Sequence, residues 1–308
     1  MPPTQKKNYL HVIPLAIYWL QSRIVFAFWS IIRLIPLKVA TDIVASIVRS
    51  LGPLLPRHRT GMSNLALAFP EKTIAERRRI LSLMWDNLAR TAIEYIYLDT
   101  LIDFDPDNPS DGNIEVIGSE VFDKLVTHGK PCIIFTGHLA NWELLPVCAK
   151  IYGLDISALY RMPNNPFIAR RILEIRSQVM GDLIASGPFA AYQLMAVLDK
   201  GGRIGVLVDQ KFRSRSRLMI PFFGHDATTN PLIGKLAREY DCPVHGARVI
   251  RLPEGRFRFE ITDEISLPRD SDGRIDTKGT VTTITQIMED WIREHPEQWL
   301  WIHRRWAS

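Results

Sequence analysis

The sequence predicts an α/β protein with a mostly parallel central sheet flanked by helices, preceded by an apolar helical segment. From residue 114 onward, short apolar runs alternate with longer segments whose apolar residues recur at helical spacing, as in chains of βαβ units. Turn-forming residues separate these segments. The 308 residues suffice for a sizeable core. Their composition, 46% hydrophobic and 23% charged, is that of an ordinary folded protein.

The N-terminal segment, residues 8–48, is unusually apolar. A spanning helix needs about 20 largely apolar residues, but the longest uncharged run covers only residues 8–22, and Pro14 and Pro36 would bend or end helices. No acidic residue precedes Asp42, whereas five basic residues do: Lys6, Lys7, Arg23, Arg33 and Lys38. We interpret residues 1–50 as a membrane-anchoring helical segment that lies in the interface or marginally spans the bilayer. The alternative is a buried amphipathic helical hairpin.

A proline-rich bend at residues 51–56 leads to a long amphipathic helix, predicted over residues 74–98. Thr73 and Glu76 form a capping-box pattern at its start, and apolar residues follow at helical spacing. The arginines at 77–79 suit a solvated or headgroup-facing side. Residues 103–112, rich in Asp, Pro and Gly, are predicted to be a linker.

The alternating part of the chain follows this linker. Its predicted strands cover residues 114–117, 131–136, 155–160, 182–186, 203–208, 218–223, 244–252 and 256–265. Its predicted helices cover residues 120–127, 140–152, 167–180, 190–199 and 277–295. Near the C-terminus, Trp299, Trp301 and His303 recur at period two, which predicts a last strand with one buried face. A single histidine in such a place is more often a core residue than a catalyst.

Cysteine usage and missing motifs narrow the class of protein. Cys132, Cys148 and Cys242 form no CxxC pair and lie in apolar surroundings, which indicates reduced core residues of a cytosol-facing protein. A secretory cleavage pattern is absent. The sequence also lacks G-x-S-x-G, Walker A, GxGxxG, HExxH and zinc-cysteine patterns, which disfavours serine-elbow hydrolases, nucleotide-binding enzymes and metalloproteases. The net charge of +5 favours an anionic partner such as nucleic acid, an anionic membrane or an acidic protein.

His138 lies at the turn between the predicted strand 131–136 and the next helix, a common place for chemistry in α/β proteins. Glu143 follows at H-x4-E spacing. A neutral imidazole can take a proton from a substrate hydroxyl, and a carboxylate on its other nitrogen can hold the tautomer and stabilise the imidazolium. The alternative is that His138 only caps the helix and Glu143 is a solvated helical residue.

Polar residues also end two other predicted strands. Arg161 follows strand 155–160, and Asp209 and Gln210 follow strand 203–208. Because parallel strands end at one edge of a sheet, we expect these residues near His138. Arg161 could stabilise an oxyanion or bind a phosphate. A cationic stretch comes next, either an anion-binding patch or a solvated loop; its members are Lys211, Arg213, Arg215 and Arg217.

Six segments, taken in order, resemble the bacterial lipid A late acyltransferases, the lauroyl/myristoyl transferase family. They are RHRTGMSNLALAFPE, FTGHLANWELL, LYRMPNNP, VDQ, IPFFG followed by DATT, and HPEQWLWIHRRW, and the resemblance covers nearly the whole chain. It implies a glycerolipid-acyltransferase-like fold, no metal or other cofactor, and a catalytic domain over residues 51–308. The implied reaction moves a fatty acyl chain from acyl carrier protein to a hydroxyl of a lipid A precursor. The implied location is the cytoplasmic face of the inner membrane.

The resemblance also implies roles for single residues. His138 matches the family's base and Glu143 its carboxylate. Arg161 matches the arginine of a YRP-like segment, although Met162 stands before Pro163 here. With Asp209 and Gln210 standing where the family has DQ, the residues predicted to bind substrate are Asn141, Arg161, Asp209, Gln210, Lys211 and Arg213.

Other functions stay open at this point. A related enzyme that acylates another membrane glycolipid or aminolipid, such as a phosphatidylinositol mannoside or an ornithine-type lipid, would carry the same motifs. A catalytically silent membrane-surface binding protein would keep the anchor and the cations, but would not need His138 and Glu143 together. Nucleic-acid binding is supported only by the isoelectric point of about 9.1. The basic residues near the N-terminus are interleaved with long apolar runs, which suits lipid better.

Overall fold

The computed structural model describes residues 15–103, 112–211 and 216–306. The helices are α1 (Leu15–Ile32), α2 (Leu37–Leu51), α3 (Pro56–Ala68), α4 (Ile74–Glu94), α5 (Ser119–His128), α6 (Leu145–Ile151), α7 (Pro166–Val179), α8 (Ala190–Asp199), α9 (Leu232–Tyr240) and α10 (Thr277–Glu294). The strands are β1 (Ile114–Ile117), β2 (Cys132–Thr136), β3 (Ile156–Tyr160), β4 (Leu183–Ala185), β5 (Arg203–Leu207), β6 (Leu218–Phe222), β7 (His225–Thr229), β8 (Val244–Arg251) and β9 (Phe257–Ile261).

Seven strands form one sheet in the order β1-β9-β8-β2-β5-β3-β4. The five strands from β8 to β4 are parallel. Strands β1 and β9 are parallel to each other, and β9 pairs antiparallel with β8. Strands β6 and β7 form a separate antiparallel pair. The prediction of a mostly parallel central sheet flanked by helices is confirmed.

Strand β2 shows why helices cover both faces of the sheet. Ile133 and Phe135 belong to one core, which α3, α4, α8, α9 and α10 cover. Cys132 and Ile134 point to the other core, to which α5, α6 and α7 contribute. A strand that is apolar on both faces is stable only between two layers of helices. Since β2 is the central strand of the seven-stranded sheet, the residue that follows its end is well fixed by packing.

The structure differs from the sequence predictions in several elements. Helices α3 and α9 and strand β7 were not predicted. The tryptophan-rich C-terminus is not a strand, because Trp299 and Trp306 each make one isolated bridge, to Leu139 and Ala227, with a turn between them. Trp299 and Trp301 are nevertheless fully buried, so the period-two pattern marks packing anchors. The predicted linker falls largely on residues 104–111, which lie outside the described residues.

The three cysteines are buried and free, as predicted. Burial raises the pKa of Cys132 and Cys148 to about 12 and that of Cys242 to about 11. All three thiols are therefore protonated at neutral pH and lack the thiolate that a nucleophile needs. The capping box at the start of α4 is also present, since the Thr73 side chain accepts from the Glu76 backbone and the Glu76 carboxylate accepts from the Thr73 backbone.

Helix α1 has the length and composition to cross a membrane, with a mean hydropathy of 1.5, and few of its residues are buried. It is docked against the body at both ends. The Asn165 side chain donates to the carbonyl of Tyr18 at 2.8 Å, and Arg33 forms an ion pair with Asp99 at 2.6 Å. The ring of Trp29 packs against Tyr95. Helix α1 therefore lies along the body between these two attachment points.

Helix α2 is amphipathic and packs against α4. Asp42 pairs with Arg90 at 2.8 Å, and Arg49 pairs with Asp86 at 3.8 Å. Its opposite face carries an apolar stripe, each member about half exposed and four residues from the next: Val39, Ile43, Ile47 and Leu51. The exposed apolar faces of α1 and α2 do not fit the alternative of a buried helical hairpin. The domain boundary at residue 50 stays a prediction, although α2 is joined to the α/β body by ion pairs.

Candidate active site

The carboxyl ends of β2 and β5 place His138 beside Asp209. Thr136 and Leu207 are register partners, so the chain leaves the sheet at the same level after both strands. The imidazole Nδ1 of His138 lies 2.8 Å from Asp209 Oδ1, and the His138 backbone N–H donates to Asp209 Oδ2 at 2.9 Å. Gly137 permits this approach, because a Cβ there would lie 2.2 Å from the Met288 side chain and 3.3 Å from the Asp209 carboxyl carbon.

Asp209 is held as a carboxylate. Its side chain is 1% exposed, and burial alone would raise its pKa. The charge of His138, the two hydrogen bonds to His138 and a hydrogen bond from the Trp299 indole outweigh burial and lower the pKa of Asp209 to about 2. The indole Nε1 of Trp299 donates to Oδ2 at 2.7 Å. Asp209 is thus ionised throughout the physiological pH range and can keep a proton on Nδ1 of His138.

The outer nitrogen of His138 faces Gln210 and solvent. The Gln210 side-chain nitrogen lies 3.1 Å from Nε2 and 3.3 Å from Nδ1. The His138 side chain is 18% exposed, and Trp142 packs against it edge-on at 4.9 Å between ring centroids. An imidazole protonated on Nδ1 presents a lone pair at Nε2. This arrangement can accept a proton from a bound hydroxyl.

The sequence predicted that Glu143 contacts the imidazole, but Glu143 bonds to another residue. Both of its carboxylate oxygens accept from one terminal nitrogen of Arg176, at 2.7 and 2.6 Å. The Arg176 guanidinium lies between the rings of Tyr95 and Tyr160, at 5.7 and 5.4 Å from their centroids. Burial opposes the charge of Arg176, but Glu143 and Tyr95 raise its pKa. The structure therefore gives His138 a different carboxylate partner, Asp209.

The backbone at Ala140 explains this difference. Ala140 has a φ of 45°, a left-handed conformation that a helix cannot contain. Helical structure begins only at a single 3-10 turn, Trp142–Leu144, followed by α6, so the predicted helix over residues 140–152 starts late. Asn141 is 0% exposed and donates to Glu94 at 2.9 Å. Substrate binding by Asn141 stays a prediction.

Two arginines, Arg57 and Arg161, lie within electrostatic range of His303, as do His138 and Asp209. Burial lowers the pKa of His303, and the positive charges of His138, Arg57 and Arg161 lower it further, while Asp209 opposes them. Arg57 and Arg161 are exposed and His303 is partly exposed. Lys211 follows Gln210 and is partly exposed, whereas Arg213 and Arg215 lie outside the described residues.

The family model described as bacterial lipid A biosynthesis acyltransferase matches residues 4–308. The chain belongs to this family. It is 24% identical over 305 residues to lipid A biosynthesis acyltransferase 2 of Shigella flexneri, covering 97% of this chain and 92% of the relative. It is also 24% identical over 298 residues to the lipid A biosynthesis palmitoleoyltransferase of Escherichia coli K12, covering 94% and 92%.

A third relative is the lipid A biosynthesis lauroyltransferase of Escherichia coli K12, 24% identical over 302 residues with coverage of 94% and 92%. These matches confirm the resemblance that the six sequence segments indicated, and the protein is an acyltransferase. Within the acyltransferase, sequence reasoning missed Arg57 and placed His303 in the core. Arg57 lies in the matched segment that begins RHRTGM, and His303 lies in the one that ends WIHRRW. These two segments were the available signal.

Across residues 15–103, 112–211 and 216–306, no group of three His, Cys, Asp or Glu side chains is arranged to hold a metal ion.

Proposed function

We propose that this acyltransferase moves a fatty acyl chain from acyl carrier protein to a hydroxyl of a lipid A precursor, with His138 as the general base. The observation that carries the proposal is the His138–Asp209 pair at the end of β2 and β5. The outer nitrogen of the imidazole, Nε2, contacts the Gln210 side chain and would exchange this contact for a substrate hydroxyl. Membership of the lipid A biosynthesis acyltransferase family supports the reaction class and the acceptor.

The proposed reaction needs one base and one oxyanion site. His138 Nε2 takes the proton of the acceptor hydroxyl as its oxygen attacks the thioester carbonyl of the donor. Asp209 stabilises the imidazolium that forms. The tetrahedral intermediate then collapses, the carbon–sulfur bond breaks, and the imidazolium returns the proton to the thiolate of the carrier. We assign stabilisation of the oxyanion to Arg161, an exposed cation at the end of the parallel strand β3.

Glu143 acts through Arg176 in this proposal. The pair fixes the chain immediately after Trp142, whose ring packs against His138. Arg176 lies on α7 and contacts the rings of Tyr95, which follows the end of α4, and of Tyr160 on β3. Glu143 is thus a positioning residue for the wall of the site, and its loss should be less severe than loss of the carboxylate that bonds to the imidazole.

The direct test incubates purified protein with acyl carrier proteins of several chain lengths and a lipid A precursor, followed by mass spectrometry of the lipids. The proposal expects a product heavier by one acyl group and no product with a His138→Ala variant. Acylation of only another glycolipid or aminolipid would favour the related-enzyme alternative. Binding to vesicles with no acylation of any acceptor would favour a catalytically silent membrane protein.

We also propose that the enzyme works at the cytoplasmic face of the inner membrane, held there by α1 and by the apolar stripe of α2. Replacing Ile43 and Ile47 with serine should lower binding to anionic vesicles at least ~10-fold, because full burial of each such side chain is worth about 1.5–3 kcal/mol. Activity should fall on acceptor in vesicles and change little on acceptor in detergent, since the substitutions lie away from His138.

The matched control for this prediction is Ile117→Ser on β1, a residue exposed to a similar extent but on the sheet edge. Vesicle flotation and the ratio of the two activities are the measurements. An equal loss of activity in vesicles and in detergent would mean that the stripe contributes to the folded core and not to membrane contact.

The cations around His138 are proposed to bind the negative groups of the substrates. Replacing Arg57 with alanine should raise the apparent KM for the acceptor, and added salt should have the same effect on the unchanged enzyme, since both weaken exposed charge attraction. Lys130→Ala is the control, because Lys130 is exposed at the opposite, amino end of β2. An unchanged KM in both the variant and the salt series would contradict the proposal.

A further inference from the structure

Arg251, the last residue of β8, makes contacts that the proposed mechanism does not use. Its guanidinium bonds to the Glu94 carboxylate, with one distance of 2.9 Å. It also donates to the Asn87 side-chain oxygen at 2.8 Å and to the Thr91 hydroxyl at 3.3 Å. The ion pair is nearly buried, with side chains 13% and 5% exposed. All three partners lie on one face of α4.

The same three residues of α4 hold the turn that follows His138. The carbonyl of Ala140 accepts from the Thr91 hydroxyl at 3.0 Å and from the Asn87 side chain at 3.3 Å. Glu94 accepts from the Asn141 side chain at 2.9 Å. Each α4 residue therefore bonds to Arg251 on one side and to the turn on the other.

Arg251, the three α4 residues and the turn at Ala140 are thus linked by hydrogen bonds into a frame. Gln298, in the C-terminal segment, is also part of this frame. Its carbonyl accepts from the Ala140 backbone N–H at 3.0 Å. Its side chain accepts from the Arg251 N–H at 2.8 Å and donates to the Arg251 carbonyl at 3.0 Å. The next residue, Trp299, donates to Asp209. The frame is thus connected to both members of the His138–Asp209 pair.

The turn needs such support because of Ala140. Non-glycine residues rarely adopt a φ of 45°. Such a conformation persists when surrounding contacts impose it. Ala140 has no side-chain group that favours this conformation locally. The hydrogen bonds to both its backbone N–H and its carbonyl come from other elements of the fold.

We propose that the Glu94–Arg251 ion pair positions His138 for catalysis by holding the left-handed turn at Ala140. The inference rests on the proposed function only in taking His138 as the base. Neither residue touches substrate in this account. Their effect is on the orientation of the imidazole toward Asp209 and toward the bound hydroxyl.

The test replaces both members together, Glu94→Leu with Arg251→Met, so that no buried charge is left unpaired. We expect kcat to fall about 10- to 100-fold, as for a small misplacement of a catalytic group, with KM for both substrates changed less than about 3-fold. Backbone hydrogen exchange at residues 138–141 should accelerate. The matched control is Arg248→Met with Glu260→Leu, another ion pair of β8 with a buried arginine, which does not contact the turn.

A rescue variant separates positioning from general stability. Ala140→Gly adopts the left-handed conformation without strain, so adding it to the Glu94→Leu, Arg251→Met variant should restore part of kcat. If the double variant does not fold, Arg251→Lys keeps the charge but loses the planar fork, and it should show the same effects at smaller size. An unchanged kcat and unchanged exchange at residues 138–141 in the folded variant would overturn the inference.

The proposed function fails by a different result. A folded His138→Ala enzyme with a near-normal rate would remove His138 as the base whatever the frame does. Loss of activity in His138→Ala together with normal kcat in the Glu94 and Arg251 variants would refute the positioning role alone.

Discussion

The His138→Ala enzyme is expected to transfer acyl chains at least ~100-fold more slowly than the unchanged enzyme while folding normally. General base catalysis typically contributes 10²- to 10⁴-fold, and no other imidazole bonds to Asp209 among the described residues. The fold should survive because the backbone N–H of residue 138 still donates to Asp209 and because the side chain is partly exposed. Initial rates with acyl carrier protein as donor measure the effect.

His128→Ala is the matched control for this prediction. His128 is exposed at the end of α5, close to the amino end of β2 and away from the site, so its replacement should leave the rate unchanged. Thermal unfolding of both variants separates a catalytic loss from a folding defect. A folded His138→Ala enzyme that keeps a near-normal rate would remove His138 from the role of base.

The sheet was predictable from sequence because its strands carry strong local signals. The run Cys132–Thr136 is apolar on both faces, which predicts a buried parallel strand. Because parallel strands end at the same edge of a sheet, Asp209 could be predicted to lie near His138. By contrast, β7 is the sequence HDATT, which lacks the apolar alternation of a typical strand. Its pairing with β6 supplies the conformation.

The pairing inside the site could not be predicted, because it depends on contacts far apart in the sequence. H-x4-E spacing suggests a local dyad, but the actual partner of His138 is 71 residues away. Alanine favours helix, so nothing local at Ala140 predicts a left-handed turn. Hydrogen bonds from α4 and the C-terminal segment impose it, and the turn separates Glu143 from the imidazole.

Replacing Asp209 by asparagine should also lower the rate at least ~100-fold. The hydrogen bonds from the His138 backbone and from Trp299 both go to Oδ2, so an asparagine keeps its oxygen there and turns its amide nitrogen toward Nδ1. The amide then donates to Nδ1, which moves the ring proton to Nε2 and removes the lone pair that accepts the substrate proton. The double variant with His138→Ala should be little worse than His138→Ala alone, because the two residues act as a unit.

The same substitution changes the response to acid. The pKa of Asp209, about 2, lies below its ordinary value of 3.8. Asp209 therefore contributes stability that is fully present above pH 3.8 and is lost as the pH falls toward 2. Asp209→Asn should unfold more readily than the unchanged enzyme at neutral pH, and this difference should shrink below pH 4. Unfolding by denaturant at a series of pH values measures it.

Glu143→Gln is the comparison that decides between the two carboxylates. A glutamine can still accept from Arg176 through its oxygen, so the wall of the site is weakened but the imidazole keeps Asp209. The rate of Glu143→Gln should fall less than the rate of Asp209→Asn. In the double variant the two losses should multiply, because the two carboxylates act through different partners. The opposite outcome has three parts: Asp209→Asn has a nearly normal rate, Glu143→Gln is as slow as His138→Ala, and the double variant of Glu143→Gln with His138→Ala is no slower than either. In that case the base is paired with Glu143 during the reaction, and the His138–Asp209 contact would be a structural hydrogen bond.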